Sequence, residues 1–377
     1  MNLNRATKLT TSTLLGIVIW ATTSYSVSAQ THNCGLETES LSELALNAEV
    51  HEFFSGSVIV ACKGQPVFIF NKGYQNRSIE VLNSDATAYS VGSVGKMITA
   101  SAVEELVHRK LISFDDPVTS LLPSLQSRLP VSVTVDHLLM HQSGIERIDV
   151  PDSALEIVRN NHENYILLHA SNVTSAGPTE FAYRNENFII LGEIVEQFSG
   201  VLYEDFILSN IVEPLRMVGP TFPLDDRRHK VAVPYLNVDF DTWWNSETEI
   251  PPTAFDEFHH VAPVYKPTAA GGLLLTAVDM VKFLQWIAHD ERDDVSRISE
   301  LCLSSALQRG YIRGCSLRSN EDVTRVGHNG STAGVHARAY HYVERDIDIV
   351  VLSNHDGQAS SIFRSLEAVI LDQKTNK

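Results

Sequence analysis

The chain has 377 residues, a formal net charge of −17 and an apolar fraction of 44%. That length can hold a large core in one or two domains, and that composition belongs to a globular protein. The acidic balance argues against nucleic acid and anionic membrane surfaces as partners.

Arg5 and Lys8 precede an apolar stretch at 14–21, and Val27-Ser28-Ala29 has the small residues of a cleavage site. Residues 1–29 are therefore expected to be a secretory signal peptide, with an apolar centre too short to span a bilayer. Its removal would leave an exported chain, periplasmic or secreted, with no stable membrane anchor. Cys34, Cys62, Cys302 and Cys315 are even in number, as an exported protein permits. Cys34–Cys62 and Cys302–Cys315 are the expected pairings, with free buried thiols as the alternative.

Residues 40–54 carry apolar side chains at helical spacing. Residues 56–61 and 66–70 have the pattern of two strands joined by a Lys63-Gly64 turn. After a polar loop from 75 to 87, apolar residues from Met97 to Val107 recur at helical spacing. From 111 to about 261 short helical patterns alternate with loops rich in Gly and Pro. Within them, the stretch around Trp243, Trp244, Pro251 and Pro252 is expected to be a long surface loop. A helix is predicted over 279–287, a hairpin over 335–343 and 346–352 turning at Glu344-Arg345, and a last helix over 360–371. The layout predicts an α+β fold, an antiparallel sheet flanked by helices with a mostly helical insertion. Residues 30–110 and 262–377 would form the sheet domain and 111–261 the insertion.

The chemistry centres on Ser93-Val-Gly-Lys96. Ser93 falls at or near the first turn of the helix, and Lys96 lies one turn on, on the same face. A serine hydroxyl needs a base within hydrogen-bond reach, and a lysine can act as one if burial lowers its pKa. Three other stretches stand out: His137 to Gly144, Tyr183-Arg-Asn185 and His328-Asn-Gly330. His137 and His141 are spaced i, i+4, but the glutamate of H-E-x-x-H is missing, so no metal is expected. No cofactor is expected either. G-x-S-x-G, G-x-G-x-x-G and Walker A patterns do not occur.

The order and spacing of these stretches resemble the penicillin-recognising serine hydrolases. That superfamily holds class C β-lactamases, D-alanyl-D-alanine carboxypeptidases, β-lactamase-like esterases and D-amino-acid-specific peptidases. The resemblance covers 87–99, 138–145, 181–185, 213–217, 270–273 with Asp279, and 328–334. It implies a β-lactamase/transpeptidase-like fold and an acyl-enzyme on Ser93, with Lys96 taking or relaying its proton. It makes Tyr183 the partner base, through a pKa lowered by the lysine cation, or the acid for the leaving group. Asn185 would bond the substrate amide or hold Lys96, and His328 would line the far wall of the cleft. Gly330 and Ser331 would border the substrate, with the Ser93 and Ser331 N–H groups as an oxyanion hole. Two positions depart from the family pattern. Arg184 replaces the serine of Tyr-Ser-Asn, and His328-Asn-Gly replaces Lys-Thr-Gly. A histidine holds a substrate carboxylate less well than lysine, unless Arg184, Arg325 or Arg338 supplies the charge. The expected function is an exported serine hydrolase acting on a small-molecule or peptide substrate, a peptidase or esterase. The alternatives are a β-lactamase and a non-catalytic penicillin-binding-like module.

Overall fold

The structure, a computed structural model, describes residues 23–27, 34–36, 39–41, 43, 53–146, 161–170, 173–219, 230–238, 242, 259–262, 267–292, 295–303, 309–320 and 322–372. The apolar stretch at 14–21, Ser28 and Ala29, most of the predicted 40–54 helix and the Trp243–Pro252 loop lie outside these residues.

An antiparallel sheet forms the frame. Its strands are β1 (Thr23–Val27), β2 (Gly56–Cys62), β3 (Gln65–Lys72), β4 (Arg309–Ile312), β5 (Cys315–Ser319), β6 (Thr324–Thr332), β7 (Val335–Tyr342) and β8 (Ile347–Ser353). Their order is β1-β3-β2-β8-β7-β6-β5-β4. The β2–β3 hairpin turns at Lys63 and Gly64, with φ of +49° and +72°. Two such residues match the twist of the flanking strands. The β7–β8 hairpin turns through a 3₁₀ stretch, Val343–Arg345, as its sequence predicts. Strand β1 pairs with the β3 edge, Thr23 opposite Lys72 and Val27 opposite Phe68. Those five residues belong to the expected leader, so cleavage after Ala29 would remove β1 and leave β3 as the edge.

The central strands β2 and β8 come from opposite ends of the chain and pair from Gly56–Ser353 to Cys62–Ile347. Both are buried along their whole length. Their alternating side chains feed two cores. Val58, Val60, Ile349 and Val351 pack with Ile362, Phe363 and Leu366 of the final helix, Ala359–Asp372. Ile59, Ala61, Val350 and Leu352 enter the larger core. That core also takes side chains from α1 (Gly95–His108), α2 (Asn161–Ala170), α3 (Asn185–Ser199), α4 (Tyr203–Ile207) and α5 (Ala277–His289). The sheet and the helices between 95 and 219 thus share one apolar interior.

Local chemistry sets the helix ends. Thr276 and Asp279 form a capping box at the start of α5. The buried Asp279 carboxylate also accepts from Val218 and Gly219 N–H, both at 2.9 Å, tying the 213–217 stretch to the helix. Helix α3 stops at Gly200, whose φ of +76° admits the left-handed cap. Helix α1 is enclosed on almost all sides, including the carboxylate of Glu104. Glu104 pairs with Arg297, whose side chain is wholly buried, lies 4.0 Å over the Trp286 ring and reaches Asp290 at 3.1 Å. Both expected disulfides are formed, Cys34–Cys62 and Cys302–Cys315, with Cα atoms 5.8 and 5.2 Å apart. Among the described residues no helix is long and apolar enough to cross a membrane.

Candidate active site

A backbone clamp places Ser93. Ala88–Ser90 pairs with Leu274–Thr276, Val91 N–H donates to Leu273 O at 2.9 Å, and Gly272 N–H donates to Gly92 O at 3.1 Å. Gly92, at φ +51°, then turns the chain into a 3₁₀ stretch, Gly92–Val94, that runs into α1. On the other side the turn lies backbone against backbone on β6. A Cβ on Gly330 would fall 2.0 Å from Val91 O, and one on Gly92 would fall 2.9 Å from Ser331 N. The amides of Ser93 and Ser331 therefore flank one close contact. Gly330 is buried and Ser331 is exposed at the rim.

Lys96 is fully buried at the floor. Its Nζ lies 3.2 Å from Ser93 Oγ, 2.8 Å from Asn185 Oδ1 and 2.5 Å from the Ala270 carbonyl. Burial lowers its pKa from 10.5 to about 7, against the pull of the Glu186 carboxylate. A neutral amine has two hydrogens and one lone pair. Asn185 and Ala270 accept the two hydrogens, which leaves the lone pair facing the serine hydroxyl. Asn185 Oδ1 is thus engaged by Lys96 Nζ.

The Tyr183 ring lies 4.9 Å from Lys96 Nζ. Its pKa is pushed up to about 12 by desolvation, although a hydrogen bond with the Ser93 side chain pulls it down. This corrects the expectation of a lowered phenol pKa. That expectation assumed a fixed lysine cation, and the cation is itself disfavoured by burial. Tyr183 stays a neutral phenol, able to give a proton.

His328 is buried in the wall facing Lys96. Its Nδ1 meets the Asn329 carbonyl and so carries the proton, while Nε2 accepts from Tyr311 Oη at 3.2 Å. Burial and the nearby Lys96 charge push its pKa down to about 3. It is a neutral acceptor with no charge to hold a carboxylate. Strand alternation turns Arg325 and Arg338 to the opposite face from His328. There Arg325 pairs with Glu367 and Arg338 donates to Ser360 Oγ, both on the final helix. Arg184 donates to the carbonyls of Ile145 at 3.1 Å and Tyr183 at 2.9 Å.

His141 is also part of the wall. The short helix Val135–Leu139 ends before it, and its own φ is +55°, so His137 and His141 do not share a helical face. His137 closes a capping box with Thr134. The His141 ring instead lies 4.3 Å from Tyr183 and 4.8 Å from Tyr311. Its Nδ1 accepts from Arg184 N–H at 3.1 Å. Tyr311, the Ala270 carbonyl and the His141 ring belong to the site but were not foreseen in those places. The Arg313-Gly314 pair signals the β4–β5 turn two residues after Tyr311, but the cleft contact of Tyr311 comes from the tertiary packing.

An eight-stranded antiparallel sheet flanked by helices, with a buried lysine and a serine packed against its strand β6, is a β-lactamase/transpeptidase-type fold. The model of the family described as "Beta-lactamase" matches residues 46–371, and the chain belongs to that family. It is 23% identical over 343 residues to penicillin-binding protein 4* of Bacillus subtilis, covering 86% of this chain and 74% of that protein. It is 21% identical over 229 residues to the teichoic acid D-alanine hydrolase of Staphylococcus aureus, covering 61% of this chain and 55% of that one. The chain thus spans about half the length of some curated relatives it matches. The D-amino acid amidase of Ochrobactrum anthropi SV3 superposes with a TM-score of 0.71 at 19% identity, over 89% of this chain and all of that one. Two of these relatives are hydrolases by name.

Proposed function

We propose that this chain is a serine hydrolase working through a Ser93 acyl-enzyme on an ester or amide with no carboxylate beside the scissile bond. The observation that carries the reading is the Lys96 amine, fixed by Asn185 and Ala270 with its lone pair toward Ser93 Oγ and a pKa of about 7.

Ser93 Oγ bonds to the carbonyl carbon while its proton passes to Lys96 Nζ. The oxyanion is received by the Ser93 and Ser331 N–H groups. The bond to the leaving nitrogen or oxygen breaks as Tyr183 gives it a proton, and Lys96 restores the proton to Tyr183. Water then adds to the acyl carbon, loses its proton to Lys96, and Ser93 Oγ leaves with that proton. One water is consumed. His328 and the aromatic wall shape the cleft without supplying a cation. This favours an esterase, amidase or peptidase over a dedicated β-lactamase, whose substrates carry a carboxylate. A D-alanyl ester or a D-amino acid amide fits that description. The two disulfides agree with an exported protein, and we place its action outside the cytoplasm.

The test is intact-protein mass spectrometry of the chain and of Ser93→Ala. Each is incubated with a D-alanyl ester, a D-amino acid amide, a D-alanyl-D-alanine peptide and a penicillin, with product followed in parallel. Turnover of the ester or amide that is lost in Ser93→Ala is the expected result. Equal product from both proteins, or a response to penicillin alone, would overturn the reading.

A further inference from the structure

On the helical layer, away from Ser93, His162, Glu193 and Glu196 bring one nitrogen and two carboxylates together. One potential ligand atom from each lies within 4.8 Å of the others. His162 Nδ1 is 2.8 Å from Glu193 Oε2 and 3.8 Å from Glu196 Oε2. The two glutamates are i, i+3 on α3 and share a face. His162 stands at the start of α2, and Asn161 fixes that start. Asn161 N–H donates to Glu204 at 3.0 Å, its Nδ2 donates to Ile189 O at 3.2 Å, and its Oδ1 accepts from Ala269 N–H at 3.1 Å.

A second observation points to a missing ligand. The Glu196 side chain is nine-tenths buried, with 10% exposed, and its Oε1 has no hydrogen-bond partner. Glu204, whose Oε2 is also buried without a partner, is not one of the three, and the Tyr203 backbone N–H reaches the Glu196 carboxylate. Buried carboxylate oxygens are costly unless paired or bound to a cation. A proton on His162 Nδ1 serves Glu193 but leaves Glu196 Oε1 unmet. A cation held between the three groups would take the His162 nitrogen and one oxygen of each glutamate in place of that single proton. The His162 side chain is 45% exposed, which gives an entry path and room for a water ligand.

We propose that His162, Glu193 and Glu196 bind a divalent zinc ion. One imidazole with two carboxylates is a mixed nitrogen and oxygen set suited to zinc, whereas calcium and magnesium take oxygen alone. Tetrahedral zinc with bonds of about 2.0–2.2 Å separates its ligand atoms by about 3.3 Å. The distances of 2.8 and 3.8 Å fall on either side of that value. The residues escape sequence reading because the histidine lies 31 positions from Glu193, on another helix.

The test is calorimetric titration of the chelator-treated full chain with zinc chloride, alongside His162→Gln and Glu196→Gln. One zinc per chain is expected, with binding at least tenfold weaker in each variant. Zinc should also raise the thermal midpoint of the parent protein but not of His162→Gln. Absence of binding at excess zinc, or equal affinity in all three proteins, would overturn the proposal. If Glu196→Gln does not fold, His162→Gln decides alone, since its ring sits on the solvent side.

Discussion

Lys96→Met should change stability in a way that depends on pH. The lysine pKa falls from 10.5 to about 7 on folding because its charge is desolvated. At 1.36 kcal/mol per unit, that depression corresponds to about 5 kcal/mol of lost stability at low pH. The sign follows from a folded-state value below the unfolded one. Above pH 10.5 the lysine is neutral in both states and folding meets no penalty. As pH falls to about 7 the unfolded chain takes up a proton that the folded one refuses, and stability drops by about 1.4 kcal/mol per unit. Below about 7 the penalty is constant. Methionine has no proton to gain, and its lost bonds to Asn185 and Ala270 shift stability by a pH-independent amount of about 1–3 kcal/mol each. The stability of Lys96→Met relative to the parent should therefore climb as pH is lowered from about 10 to 7 and then level off. Urea unfolding followed by tryptophan fluorescence, with disulfides intact, measures it. A difference that stays flat between about pH 7.5 and 9.5 would mean an ordinary charged lysine, and would remove the base from the mechanism proposed above.

The kcat/KM of the parent should rise through a pH of about 7 as Lys96 loses its proton, with no fall from Tyr183 until near 12; an acid limb centred elsewhere would contradict this. Tyr183→Phe should lower kcat by about 10²–10⁴ while leaving the urea midpoint unchanged, because the phenol acts as a neutral proton donor. Gly330→Ala should cut kcat/KM at least tenfold, roughly the effect of a small displacement of reacting groups. Its Cβ would fall 2.0 Å from Val91 O and push β6 away from the turn that holds Ser93, which steady-state kinetics with a circular dichroism check would reveal. Glu104→Leu should cost about 3–5 kcal/mol in urea unfolding, since it leaves the Arg297 guanidinium underpaired in the core.

Much of this site was legible in the order of its residues. Ser93 and Lys96 are local neighbours on one helix, and their spacing alone sets their contact. Tyr183, Asn185 and His328 were placed by resemblance, and the fold brings Tyr183 to Ser93 and Lys96, Asn185 to Lys96, and His328 to the wall that faces them. Protonation was less legible. The direction of the Tyr183 shift depends on how far Lys96 is desolvated, which is a property of the packed core and not of spacing. Strands β4, β5 and β6 were missed for a local reason. Gly310, Gly314, Gly327 and Gly330 and the polar residues among them leave no continuous apolar run of the kind by which β2 and β8 announce themselves. One of those glycines, Gly330, is needed there because backbone approaches backbone beside Ser93.

The pairing of β2 with β8 sets the order in which the chain can assemble. Helices α1, α3 and α4 are local and can form as soon as their residues are free. The seam at the middle of the sheet cannot close until Ser353 is available to meet Gly56. Until then β2 carries an open apolar flank, and the larger core lacks Val350 and Leu352. Such late long-range pairing slows folding and prolongs exposure to aggregation. A chain truncated before residue 347 would therefore not lose one strand from a finished body. It would lose the final helix as well and leave the sheet split at its middle, with the β2 and β7 edges unpaired.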